Sequence, residues 1–158
     1  MKKLLILLSM AALIYSCGGG SQETESEGSA SGEAPKSMVA GQDYDTKRGE
    51  GKFKDFEPAA TLDASLATKG EEVYNLKCAS CHKLTDERLV GPGWKGVTDR
   101  QQGSWILNFI TNTEEMLDKD PEAQAQLALC LVRMPNQNLT DEEAKAVYEY
   151  MRKNDGLK

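Results

Sequence analysis

The sequence has little of what several common functions require. It contains one histidine, His82, and its formal net charge over 158 residues is −6. A single histidine argues against a zinc site of four cysteine and histidine ligands. An acidic chain lacks the basic face that a nucleic-acid binder needs. After residue 16, no apolar stretch is long enough to cross a membrane, and none alternates apolar and polar residues as a half-buried strand would.

The first sixteen residues have the pattern of a targeting segment. Lys2 and Lys3 provide a basic start, and the apolar run that follows is too short to remain as a membrane-spanning helix. The run ends at Cys17 between small residues, which resembles a bacterial lipoprotein signal. The resemblance implies cleavage before Cys17, lipid attachment to its thiol, and a mature protein anchored to a membrane facing the periplasm. An ordinary secretory signal with an incidental cysteine is the alternative.

Composition divides the remaining chain into two parts. Residues 17–61 begin with the cysteine and continue in glycine, serine and glutamate, so they are predicted to form a flexible tether. Phe53 and Phe56 are the exceptions: they either pack against the folded domain or belong to the tether. Residues 62–158 are the predicted domain.

The periodicity of the predicted domain is helical throughout, so its fold class is all-α. A first helix is expected over about residues 64–77. Asp120 followed by Pro121 predicts the start of another helix, because proline is tolerated at the first helical position. Thr140 and Glu143 have the spacing of a capping box and predict the start of the last helix.

The segment Cys78-Ala79-Ser80-Cys81-His82 is the most specific motif in the chain. Two thiols at this spacing can each add to a haem vinyl group, and the histidine that follows is then held as the proximal ligand of the iron. Other readings of the motif fit less well. A thioredoxin-like pair would require strands, and a structural disulfide would leave His82 without a role.

Around this motif, residues 62–158 resemble the class I, monohaem cytochrome c family in a bacterial lipoprotein form. The family's fold has about four to five short helices around one covalently attached haem c. The resemblance implies that the carbonyl of Pro92 accepts the ring hydrogen of His82 and so orients the ligand. It also implies a crossing of the first and last helices at Gly70, Tyr74 and Tyr150.

The second axial ligand is expected to be a methionine. Arg133-Met134-Pro135 matches the methionine loop of the family, and Pro135 disfavours helical geometry at Met134, which places that residue in a loop. Met134 is therefore the predicted distal iron ligand and His82 the proximal one. Met116 is the rival, with core packing as the alternative for either methionine.

Two further side chains are candidates near the haem. Trp105 is predicted to donate a hydrogen bond to a haem propionate, with core packing as the alternative. Cys130 is left over once Cys17 and the haem motif are assigned, and it is expected to be a small buried hydrophobe.

A histidine and a methionine would fill both axial positions, which suits electron transfer rather than catalysis. We therefore expect an electron carrier, not an enzyme, with redox proteins as partners and no small-molecule substrate. The methionine-loop region and the lipid anchor resemble those of small cytochromes that feed terminal reductases, such as nitrous oxide reductase, or oxidases, and the resemblance implies an acceptor of this kind. A haem-based sensor or enzyme with a displaceable distal methionine is the alternative.

Basic residues near the motif, including Lys83, Lys95 and Arg133, are either a docking face or scattered solvated side chains.

Overall fold

A computed structural model describes residues 44–158. The predicted signal segment, the lipidated Cys17 and the first part of the predicted tether lie outside the described residues. Within them no helix is long and apolar enough to cross a membrane. The described residues form six helices and no strand, so the all-α prediction is confirmed with one short helix more than expected. The helices are α1 (Ala64–Lys77), α2 (Val97–Arg100), α3 (Gly103–Thr111), α4 (Thr113–Lys119), α5 (Pro121–Cys130) and α6 (Asp141–Asn154).

Helices α1 and α6 cross in direct backbone contact at Gly70. A Cβ atom at this position would lie 1.9 Å from the carbonyl oxygen of Ala146 and 2.9 Å from the Cβ of Tyr150. Beside this contact the rings of Tyr74 and Tyr150 pack with their centroids 5.5 Å apart. The crossing is therefore the one that the resemblance implied, and it fixes the end of α1 relative to the rest of the core.

Side-chain caps define the helix starts that the sequence predicted. Thr140 accepts a hydrogen bond from the backbone N–H of Glu143, and the Glu143 carboxylate accepts one from the N–H of Thr140, which completes the capping box. The Asp120 carboxylate accepts from the N–H of Ala123 at the start of α5, directly before Pro121. Both predicted starts are confirmed.

The folded unit begins upstream of residue 62, where composition placed its start. Phe53 is buried in the core, and Phe56 packs edge-on against Tyr148. The N–H of Phe53 donates to the side-chain oxygen of Asn108 at 2.9 Å, and the Asn108 amide donates to the carbonyl of Arg48 at 2.8 Å. The backbone at Arg48 and Phe53 is thus held by one buried asparagine, a contact that a search for apolar periodicity does not detect.

The Gly70 contact generates a stability prediction. Gly70→Ala should destabilise the domain by about 3 kcal/mol or more, because the added methyl group meets a backbone carbonyl that cannot rotate away. Thermal unfolding followed by circular dichroism would measure the loss. Lys69→Ala, on the exposed face of the same helix, is the matched control and should stay within about 0.5 kcal/mol of the parent. Equal melting temperatures for all three proteins would contradict the tight crossing.

Candidate haem-binding site

Helix α1 leads directly into the cysteine motif. After α1 ends, the chain forms a tight turn in which the N–H groups of Cys81 and His82 donate to the carbonyl of Cys78, at 3.0 and 2.9 Å. Both cysteines are free thiols. Cys78 is buried in the core, and this burial raises the pKa of its thiol to about 11. The tight turn brings both thiols and the imidazole to one end of α1.

The ring of His82 is held in a single orientation. Its Nδ1 lies 2.9 Å from the carbonyl oxygen of Pro92 and donates to it, since a carbonyl can only accept. This is the contact that the resemblance implied, and it leaves Nε2 with a free lone pair. Gly91 is required here because a Cβ atom would lie 2.3 Å from the ring. Burial lowers the pKa of His82, which favours the neutral imidazole that binds metals.

One cavity collects most of the predicted site residues. Cys81, His82, Pro92, Trp105 and Met134 all line it, while Cys78 lies in the adjoining core. Its remaining walls are largely apolar side chains from α3, α5 and α6. The residues present fit a haem: an apolar slot, a free imidazole nitrogen and neighbouring thiols are the groups that a covalently bound haem requires. The apolar walls include Ile106, Phe109, Ile110, Leu117, Leu127 and Met151.

The structure separates the two candidate methionine ligands. Met134 lies in the loop between α5 and α6 and contributes to the cavity wall. Met116 is fully buried in α4 and is not part of that wall. Its sulfur accepts a hydrogen bond from the N–H of Glu50 at 3.0 Å and lies against Gly49. Met116 therefore packs in the core, and Met134, in a loop beside the cavity, remains the candidate iron ligand.

The predicted role of Trp105 requires correction. Its ring lines the cavity and stacks on Phe109, with the centroids 5.2 Å apart. Its indole N–H, however, donates to the Asp120 carboxylate at 3.0 Å. An indole has one N–H, so the donor proposed for a haem propionate is already used inside the protein. Trp105 is a wall residue whose polar end points to Asp120.

Sequence reasoning missed several polar groups at the cavity. Arg100, the last residue of α2, and Gln101, which follows it, line the cavity, and Arg100 donates a hydrogen bond to the Lys95 carbonyl at 2.7 Å. A guanidinium there suits an anionic propionate. Cys130, expected to be buried, is half-buried and also lines the cavity. No spacing rule marks such residues, because they come from the ends of two separate helices, α2 and α5, that only the tertiary fold brings together.

Comparison with known proteins supports the same assignment. The sequence model for cytochrome c matches residues 67–155. A cytochrome c from Rhodothermus marinus is 32% identical, with a TM-score of 0.64 over 66% of this chain and 90% of that one. An engineered form of it, Rma TDE, is 31% identical with the same coverage and a TM-score of 0.64. A search of curated proteins found no significant match. The chain belongs to the cytochrome c family, whose members carry electrons on a covalently bound haem c.

Proposed function

We propose that this protein is an exported, membrane-tethered electron carrier with a single haem c, attached through Cys78 and Cys81 and ligated by His82 and Met134. The observation that supports this most is the shared cavity of Cys81, His82 and Met134. The imidazole that Pro92 orients is the candidate nitrogen ligand of the iron, and the loop methionine is the candidate sulfur ligand. With His82 and Met134 both holding the iron, the site would suit electron transfer better than substrate binding.

The chain's own groups support this role by holding the site still. Bound haem c supplies an iron that takes up and releases one electron at a time. The Pro92 carbonyl fixes the His82 ring, and the Tyr74 hydroxyl donates to the His82 carbonyl at 2.7 Å. Arg133 donates to Glu114 and Asp118, at 2.9 Å each, and so ties the residue beside Met134 to α4. Ligands held on both sides keep the reorganisation between oxidation states small.

The N-terminal pattern of the sequence supports the proposed location, and the resemblance to small respiratory cytochromes supports the proposed kind of partner. A lipid on Cys17 and a hydrophilic tether would hold the haem domain near a membrane on the periplasmic side. Such a carrier would pass electrons between respiratory proteins, with a terminal reductase, such as nitrous oxide reductase, or an oxidase as the acceptor. A redox partner would have to approach where the cavity opens.

Several exposed apolar side chains lie in or next to the segments that line the cavity. Five exposed side chains form what we call the apolar rim: Leu89, Val90, Leu129, Leu131 and Val132. Val90 and Val132 line the cavity itself, and Arg88 donates to the carbonyl of Leu129, which joins the two parts of the rim.

The basic residues that suggested a charged docking face are partly neutralised within the chain. Lys83 pairs with Glu87 at 2.7 Å, and Arg133 pairs with Glu114 and Asp118. An apolar contact at the rim therefore fits partner docking better than long-range attraction to these charges.

Covalent attachment can be tested directly. Replacing both Cys78 and Cys81 by alanine should make the haem extractable into acidified organic solvent, because no thioether bond then holds it. In the parent protein the colour should stay with the polypeptide. Cys130→Ala, the remaining cysteine of the described domain, should leave the attachment intact. Colour that remains on the double variant after extraction would refute the assignment.

The distal ligand can be tested with the two methionines. Met134→Ala should abolish the sulfur–iron charge-transfer band, lower the reduction potential and allow the ferrous protein to bind carbon monoxide. Met116→Ala should keep the band but destabilise the domain by about 2–5 kcal/mol, because it removes a fully buried side chain.

The opposite result, loss of the band only in the Met116 variant, would show that Met134 is not the ligand. Carbon monoxide binding by the parent protein would favour the sensor or enzyme reading with a displaceable methionine.

Docking at the apolar rim can be tested without knowing the partner. Electron self-exchange between ferric and ferrous copies, measured by NMR line broadening, depends on contact between haem edges. Leu131→Asp should slow it at least several-fold, because a charge in the rim must be desolvated on contact. Leu76→Asp is the matched control: both leucines are 84% exposed, but Leu76 lies on α1 away from the cavity lining. Equal slowing by both variants would show that the rim has no special role.

A further inference from the structure

Asp120 is a fully buried carboxylate in the described domain, and hydrogen-bond donors surround it. It lies between α4 and α5. One oxygen accepts from the Tyr44 hydroxyl at 2.8 Å and from the Trp105 indole at 3.0 Å, and the other accepts from the Ala123 N–H at 2.8 Å. The start of α5 is thus joined at one side chain to Trp105 of α3 and to Tyr44, which precedes α1.

The surroundings of Asp120 suit its ionised form. All three partners donate, and a carboxylate is the form that only accepts. Burial and then the neighbouring carboxylate raise the pKa of Tyr44, so its hydroxyl keeps the proton that it donates. Within residues 44–158, no lysine or arginine forms an ion pair with Asp120. Among these residues the Asp120 carboxylate is therefore stabilised by the dipoles of its hydrogen-bond donors and not by a cation. Its negative charge is not neutralised.

This charge lies directly behind the cavity wall. Two of its three partners, Trp105 and Ala123, line the cavity. Asp120 itself is 0% exposed, so solvent and salt screen its field much less than that of a surface carboxylate. A group bound in the cavity therefore experiences this anion across a single layer of side chains.

We propose that Asp120 sets the reduction potential of the haem by favouring ferric over ferrous iron. This inference rests on the proposed function, since it requires a redox-active haem in the cavity. A nearby anion stabilises the more positive oxidation state and therefore lowers the potential. The Tyr44 and Trp105 donors withdraw part of that charge and moderate the effect. Tyr44 belongs to residues 44–61, which precede α1, so this segment also takes part in setting the potential.

Two variants should shift the potential in opposite directions. Asp120→Asn removes the charge in a side chain of the same shape, so the potential should rise. Tyr44→Phe removes one donor and leaves the charge less compensated, so the potential should fall. Glu115→Gln makes the same charge change as Asp120→Asn on the exposed surface of α4 and should leave the potential unchanged. Spectroelectrochemical titration of the holoprotein gives the potential, and thermal unfolding is recorded alongside.

The outcomes separate this role from a purely structural one. A structural Asp120 would lower the melting temperature without moving the potential, and that result would overturn the proposal. An equal shift in Glu115→Gln would also overturn it. If Asp120→Asn does not fold with haem, Tyr44→Phe decides alone, and a potential that is unchanged or higher counts against the proposal. A parent protein without a reversible one-electron couple would instead refute the proposed function.

Discussion

The site depends on one backbone contact: Gly70 in α1 lies against the backbone carbonyl of Ala146 in α6, with no side chain between them. Backbone packed on backbone leaves little freedom to slide or rotate, because no flexible side chain can absorb a shift. The end of α1 is therefore fixed, and with it the turn that carries Cys78 and His82. Tyr74, one turn after the contact, extends this control by bonding the His82 carbonyl.

The opposite side of the cavity is held by different forces. Met134 lies in a loop, and its neighbour Arg133 reaches α4 through two solvent-exposed ion pairs. Such pairs contribute only about 0.2–1 kcal/mol each and are weakened by salt. The histidine side is thus fixed by the helix crossing, whereas the methionine loop is held by the packing of Met134 against the core and by these surface ion pairs. Any difference in mobility between the two ligands should follow this division.

The fold and the centre of the site were predictable because local signals carry them. Helical periodicity, the capping box at Thr140 and the cysteine motif are each complete within a few residues. The contacts that join distant segments were not predictable. Nothing in the sequence near Trp105 indicates that its indole bonds Asp120, and nothing near Phe53 indicates that Asn108 holds its backbone. These contacts depend on the three-dimensional path of the chain.

The burial of Cys78 has a consequence for how the protein matures. In the folded domain its thiol is shielded, and its raised pKa keeps it protonated, whereas the thiolate is the reactive form. The core to which Cys78 belongs includes residues of α6, which begins roughly sixty residues after the end of α1, and closing such a long loop is slow compared with forming local helices. The thiol is therefore more open to reaction before the core has closed around it than afterwards. Haem attachment should accordingly proceed faster on a partly folded chain than on the closed domain.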